Sequence, residues 1–290
     1  MADVQHWTEG YMIDRVLQSY RTYLEVRHPV KLRLFDRNFT SNPNGARAEA
    51  ALFGLFRGLV ECVSIFESPS AGGPDFLCED SKGEFVVEVT TLNDEAIARA
   101  ANWPNVVPSD ADSTRSFTMV TDNLLGATRK KQRQLSATTV PRLLVIASEH
   151  IGASVLLSDY SAEALIVGDS RIRIDGVGST SPGVDIATGL ANSVFMKPAA
   201  GGQVSPARQS ISAILLAALS DSGVAVIGAL HPMPRIAFDC CHLPDVTFAR
   251  LREWRQEPRT FEIDWVTCNP HSRTYALSLV ELNDRELRGE

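Results

Sequence analysis

The sequence predicts an α/β fold in which a mixed central sheet is flanked by helices, and three observations carry that expectation. Residues 73–92 alternate and turn like a β-hairpin, residues 43–62 and 117–135 place apolar side chains at helical spacing, and residues 142–147 form the short apolar run of a buried strand. Helices interleaved with strands in this order are the pattern of α/β proteins. Composition agrees, since the 290 residues are 44% hydrophobic and 22% charged, enough for one large domain with insertions or two small ones.

In chain order, Trp7, Tyr11, Met12, Val16, Leu17, Tyr20, Tyr23 and Leu24 recur at near-helical spacing and predict a scaffold helix over residues 9–25. Asn42-Pro43-Asn44 starts a second helix, reaching about residue 62, with an Asn cap and a Pro in the first turn. On it Glu49 shares a stripe with Leu52, Phe53, Phe56 and Val60, so its carboxylate is expected to face inward. An acid favoured there by the helix dipole is an equal reading. Glu61, one turn after Arg57, reads as a surface ion-pair partner. A strand at 63–66 precedes the hairpin. A short helix from Asp94, a loop at 102–113 long enough to flank an active site, and a third helix at 117–135 follow it.

Beyond the strand at 142–147 come a helix beginning near Ser158 and a strand at 171–174. The Gly-, Ser- and Pro-rich stretch 176–206 reads as a long loop or β-excursion around the apolar island 194–196. Apolar runs at 211–218 and 224–230, a basic helix at 247–256 and a strand at 261–266 complete the chain, with no internal repeat. The division expected is an N-terminal helical extension (1–42), an α/β core (43–235) and a C-terminal extension packed on the core (236–290).

The hairpin is the most informative segment. A turn symmetric about Ser81-Lys82 pairs Cys78 with Phe85 and Asp75 with Glu88. Opposed residues share a sheet face with Cβ atoms about 4.5–5.5 Å apart, where two like charges repel unless a cation or a proton lies between them. Asp75 as a turn cap after Pro74 and Glu88 as an exposed strand acid is the plainer alternative. Glu88, however, sits among Phe85, Val86, Val87 and Val89, where an unpaired carboxylate is costly. Alternation puts Thr90 with Glu88 and sends Phe85, Val87 and Val89 to the other face.

On the helix at 117–135, Phe117, Val120, Leu124, Ala127 and Leu135 form the buried stripe. Lys131 falls on that stripe, and Gln134 follows it on nearly the same face. Lysines so placed commonly cover apolar surface with their stems. Arg129, Lys130 and Arg133 lie off the stripe in a basic block suited to phosphate contact. Arg250, Arg252, Arg255 and Arg259 interleave with Trp254 in a second basic stretch. Either could equally be a solvated face, and a formal net charge of −7 does not favour a nucleic-acid partner.

A helix with an inward acid, a Pro-Asp hairpin carrying Glu-Val-Thr, a helix with Lys-x-x-Gln and a following buried strand together resemble the PD-(D/E)XK superfamily of restriction-endonuclease-like nucleases, over residues 43–147. The resemblance implies a restriction-endonuclease-like mixed central sheet and a Mg²⁺ site, Mn²⁺ being an alternative, for phosphodiester hydrolysis, with DNA as the polymer. It makes Asp75 and Glu88 metal carboxylates, Val89 a carbonyl ligand and Glu49 the helix acid. Thr90 stands where the family's motif has lysine, and Lys131, with Gln134, is the candidate for a relocated lysine. Arg129, Lys130 and Arg133 would bind the nucleic acid. A cytoplasmic setting and assembly as a homodimer or a larger defence-type complex are further expectations. Thr90 and the acidic net charge also suit a catalytically degenerate module that binds nucleic acid or a protein partner.

Five cysteines, odd in number and irregularly spaced, predict reduced thiols rather than a disulfide framework. Cys240, Cys241, His242, Cys268 and His271 offer a zinc alternative of poor spacing, because three adjacent residues cannot easily ligate one tetrahedral ion. There is no Gly-x-Ser-x-Gly elbow, no Walker loop and no dinucleotide fingerprint. His6, His28, His150 and His231 are scattered and read as surface or satisfied core residues. No leader pattern is evident, and no apolar run approaches the roughly 20 residues of a membrane span.

Overall fold

In the computed structural model, which describes residues 12–67, 73–92, 126, 128, 138–150, 157–168, 170–174, 184–188, 190, 193–200, 203–220, 223–255, 260–269 and 276–277, the middle of the molecule is built from buried strands with largely apolar centres. Every residue of β4 (Arg142–Ser148) is buried, and β3 (Gly83–Thr91) and β9 (Ala213–Ser220) pair with it in parallel. A strand covered on both faces cannot alternate polar with apolar residues, which is why Leu143-Leu144-Val145-Ile146-Ala147 suits this position.

Outward from β3, β2 (Phe76–Asp80) and β1 (Cys62–Ile65) follow antiparallel. On the other side β10 (Gly223–Leu230) is antiparallel to β9, β11 (Phe248–Arg255) parallel to β10, and β12 (Thr260–Val266) antiparallel to β11. A short β13 (Ala276–Leu277) takes the remaining part of the β10 edge and completes a nine-stranded mixed sheet. β5 (Ser170–Ile174) pairs with β6 (Val184–Thr188), and β7 (Met196–Pro198) with β8 (Val204–Pro206), so the described residues of the stretch 176–206 include strands of two small two-stranded sheets.

The sheet separates two apolar layers. Phe85, Val87, Leu143, Val145, Ala147 and Leu215 face one way, against α1 (Met12–Arg27), α2 (Pro29–Ser41) and α3 (Pro43–Leu59). Val86, Leu144, Ile146, Ile214 and Leu216 face the other, against α4 (Asp159–Val167) and the segment holding Val194, Phe195 and Met196. Odd and even residues of β3 and β4 thus go to opposite layers, the period-two signature of strands.

The helices on the first layer are set by their ends. Asn42 accepts at Oδ1 from the Gly45 N–H at 3.2 Å, with Pro43 in the first turn of α3, as the Asn-Pro pair predicts. The same residue closes α2, its N–H donating to the Asn38 carbonyl at 2.6 Å. α3 ends three residues short of the expected 62, because Cys62 already belongs to β1. α2 is a helix the sequence reading did not separate from the N-terminal segment; Pro29 begins it one residue after α1 has ended.

One expectation is overturned outright. The basic stretch at 247–256 is not a helix but strand β11, and its arginines are met across the strand pair: Arg250 by Asp264 at 2.8 Å and Arg252 by Glu262 at 3.8 Å. Trp254 packs on Phe261 with ring centroids 4.1 Å apart. A bulge between Leu251 and Glu253 breaks the alternation that would have marked the strand in the sequence. Glu61 is exposed, as expected of a surface acid, and accepts from the Ser81 N–H at 3.1 Å. The helix expected from Asp94 and the loop at 102–113 lie outside the described residues, as does the helix at 117–135 apart from residues 126 and 128, which are helical. Among the described residues, no helix is long and apolar enough to cross a membrane.

Where β10 and β11 run side by side, Gly228 stands opposite Phe248, and a Cβ on Gly228 would lie 2.1 Å from the Phe248 ring. That ring is fully buried and packed against Phe238, so it has no room to retreat. Gly228→Ala should therefore cost about 1–3 kcal/mol of overpacking, with part of the loss recovered when Phe248→Leu is added. Urea midpoints of the single and double variants test this; an unchanged midpoint for Gly228→Ala would show that the strands tolerate a methyl group here.

Candidate functional site

The β2–β3 ladder runs from Asp80 opposite Gly83 to Phe76 opposite Val87, with Cys78 facing Phe85, the register that a two-residue turn at Ser81-Lys82 dictates. The next pair in this register is Asp75 and Glu88, and here the ladder stops. The Asp75 backbone carbonyl accepts from the Phe66 N–H at 3.0 Å, while its side chain turns along the sheet edge and takes the Val89 N–H on Oδ2 at 2.7 Å. β3 continues to Thr91 with β4 on one side only, so its other edge opens beside Asp75. Glu88, with 1% of its surface exposed, is held inside this strand opposite Leu144.

The helices supply the facing wall. Glu49 projects from α3 toward the interior and remains 8% exposed. Its Oε1 accepts the Tyr20 hydroxyl at 2.8 Å and lies 3.2 Å from Lys31 Nζ. Lys31, only 5% exposed, reaches in from α2 and also pairs with Glu67, just past β1. Tyr20 is fixed by Phe35, edge to face at 5.3 Å, and by Phe53 at 4.8 Å. The α2–α3 corner at Asn42 and the aromatic packing together aim one hydroxyl and one ammonium at a single carboxylate oxygen.

Between these walls lies a cavity of about 520 Å³, whose lining includes Lys31, Glu49, Glu67, Asp75, Glu88 and Thr90. Asn38, Ser41 and Asn42 form the polar rim contributed by α2 and its junction with α3. Burial holds the Asp75 carboxyl well above the usual carboxylate range, and Glu88 and then Glu49 push it further, against the Val89 N–H and Lys31. Burial opposes the Lys31 charge, but Glu49, Glu67 and Asp75 outweigh it and hold the ammonium protonated. The Tyr20 hydroxyl is kept neutral by burial and by Glu49, so it donates rather than ionises. Four carboxyl groups thus line the cavity with one ammonium, a deficit of positive charge that a proton or a cation can relieve.

Of the residues singled out in the sequence, Glu49, Asp75, Glu88, Val89 and Thr90 meet at this cavity. Lys131 and Gln134, as well as Arg129, Lys130 and Arg133, lie outside the described residues. Lys31 and Glu67 are not singled out in the sequence, and Tyr20 is placed there only in the stripe of a scaffold helix. Lys31 and Phe35, four residues apart, are the buried stripe of α2, but Val30, Leu32 and Leu34 alternate around Lys31 and mask that helical period. Of the histidines, His231 is a satisfied core residue: its Nε2–H donates to the Ala207 carbonyl at 2.7 Å and its Nδ1 accepts from the Met233 N–H at 2.9 Å. Burial pulls its pKa down to about 4 and keeps it neutral. Comparisons with protein-family models, with curated proteins and with solved structures found no match to this chain.

Because the fold holds the Asp75 proton to higher pH than the unfolded chain does, the folded state binds more protons as pH rises past the ordinary aspartate range. Stability therefore falls as pH rises through that window. Asp75→Asn removes the penalty while its amide oxygen can still accept from Val89. The variant should stabilise the metal-free protein at pH 8, with a gain that shrinks toward acid pH. Denaturant titrations at several pH values measure it; a loss of stability at pH 8 would mean that Asp75 is ionised and compensated.

Proposed function

We propose that this chain is a metal-dependent nuclease of restriction-endonuclease-like fold that hydrolyses phosphodiester bonds, with DNA as the expected polymer. The observation that carries the reading is the gathering of Glu49, Glu67 and Asp75 around one buried ammonium, Lys31, with Glu88 lining the same cavity where the β2–β3 ladder ends. The order α3, β1, β2, β3, with β4 alongside β3 and the acids on α3 and the hairpin, supports the structural side of the resemblance.

The donor set fits a hard cation. Carboxylate and carbonyl oxygens suit Mg²⁺ or Mn²⁺, and Mg²⁺ characteristically takes one or two carboxylates while keeping waters and substrate phosphate oxygens. Asp75, Glu88 and the Val89 carbonyl would hold it. A bound Mg²⁺ supplies Lewis acidity and lowers the pKa of a water. Asp75, fixed by the Val89 N–H, and Glu88, fixed in the ladder, keep their orientation without the cation. Glu49 positions Lys31, whose protonated amine offsets the negative charge that grows on the phosphoryl oxygens as the nucleophile adds. Thr90 can donate one hydrogen bond to a water or phosphate oxygen but brings no charge. Lys31, entering from α2, thus takes over the electrostatic task that the family's motif assigns to lysine at the position of Thr90.

A cleavage assay on plasmid, single-stranded DNA and RNA with and without Mg²⁺ tests the reading. Asp75→Ala and Glu88→Ala should abolish Mg²⁺-dependent cleavage. Lys31→Met should lower it by about 10²–10³-fold, the usual effect of removing one preorganised electrostatic group. Lys131→Met run in parallel decides which lysine serves the site. Cleavage surviving both carboxylate changes would refute the proposed centre. Nucleic acid bound by the wild type but left uncut would establish the binding-module alternative that Thr90 favours.

A further inference from the structure

A second set of ligand-type side chains gathers outside the cavity. Between β10 and β11 the chain makes a 3-10 turn, Cys240–His242, closed by Asp239, whose Oδ1 accepts from the Cys241 N–H at 2.9 Å. The segment after β12 is fastened beside it. Thr267 Oγ1 donates to the Pro244 carbonyl at 3.1 Å, and Asn269 Nδ2 to Asp245 Oδ1 at 2.8 Å.

These contacts bring Cys268 against the turn. Cys241 and Cys268, 27 residues apart in sequence, have Cα atoms 5.3 Å apart and are joined as a disulfide, contrary to the expectation of thiols throughout. Cys240 is a free thiol with its Sγ 3.8 Å from Cys268 Sγ. The three sulfurs and a carboxylate oxygen of Asp239 all lie within 4.8 Å of one another. His242 is turned away, its Nδ1 meeting the Asp80 carboxylate at 3.0 and 3.1 Å. The cluster differs from the zinc alternative expected from the sequence, since Asp239 belongs to it and His242 does not, and the objection to three adjacent ligands is met here because the 3-10 turn brings the ligand atoms of Asp239, Cys240 and Cys241 within 4.8 Å of one another.

The spacing has a chemical meaning. In a tetrahedral site with Zn–S bonds of about 2.3 Å, neighbouring sulfurs stand about 3.7–3.8 Å apart, which is the Cys240–Cys268 separation. Three sulfurs and one oxygen complete a closed four-ligand set that selects a thiophilic ion and serves Mg²⁺ poorly. We propose that Asp239, Cys240, Cys241 and Cys268 of the reduced chain bind one Zn²⁺, and that the disulfide is the metal-free, oxidised form of the same site. Reduction by a phosphine adds two electrons and two protons to the disulfide, giving two thiols, while the phosphine takes the oxygen of a water and leaves as its oxide. Zn²⁺ then forms three Zn–S bonds and releases three thiol protons to solvent. Loaded, the site ties the end of β12 to the turn before β11, and through His242 and Asp80 the same turn is fastened to the β2–β3 hairpin.

The test is metal content of the full chain purified with a phosphine and without chelator, measured by plasma mass spectrometry, with Co²⁺ substitution as a spectroscopic probe. The wild type should hold one Zn²⁺ per chain and give the visible absorption of tetrahedral cobalt thiolate. Cys240→Ser and Cys268→Ser should lose stoichiometric zinc, whereas Cys62→Ser, an exposed thiol outside the cluster, should keep it. Circular dichroism confirms that each variant is folded. A folded, reduced wild type without zinc, or full zinc retention in Cys240→Ser, would overturn the proposal.

Discussion

The arrangement of this molecule turns on a shortage of positive charge in a buried place. Glu49, Glu67, Asp75 and Glu88 share the cavity with Lys31, whose own burial is tolerated only because acids surround it. An isolated buried ammonium would shed its proton, and isolated buried carboxylates would gain theirs. The acids hold Lys31 in its charged form, whereas burial and its neighbouring acids keep the Asp75 carboxyl protonated well above the usual range. The oxygen donors that line this cavity are of the type that hard cations take.

The sheet makes room for this by a local failure of pairing. β3 is a full partner of β4 along its C-terminal half, whereas β2 ends at Phe76, so the opposite edge of Val89 needs another acceptor. Asp75 provides it. A strand edge that would otherwise be a liability becomes the anchor for a carboxylate, and the same interruption opens space for α3 to bring Glu49 within electrostatic reach of Asp75.

Much of this was legible because it rests on short-range rules. A turn centred on Ser81-Lys82 determines which residues of the hairpin oppose each other, and the unbroken apolar run from Leu143 to Ala147 marks a strand covered on both faces. Asn42-Pro43 announces α3 through the hydrogen-bond needs of a helix start. The missed features belong to longer range or to exceptions. Lys31 is buried by partners that are distant in sequence, and hydrophobic periodicity does not count a lysine as a core residue. The bulge at Leu251 destroys the alternation of β11, leaving arginines whose helical spacing was coincidental. Cys241 and Cys268 meet only after β11 and β12 have paired and returned the chain to the 3-10 turn.

The hydrogen bond from Tyr20 and the ion pair from Lys31 fall on one atom, Glu49 Oε1, which makes that oxygen the meeting point of α1, α2 and α3. Folding and chemistry are therefore inseparable at Glu49: a variant there disturbs the mutual placement of three helices before any question of turnover arises. Glu88 is different, since backbone pairing with β4 holds its strand whatever side chain it carries. The two acids of one cavity thus carry unequal diagnostic value, and an inactive Glu49 variant reports on architecture as much as on mechanism.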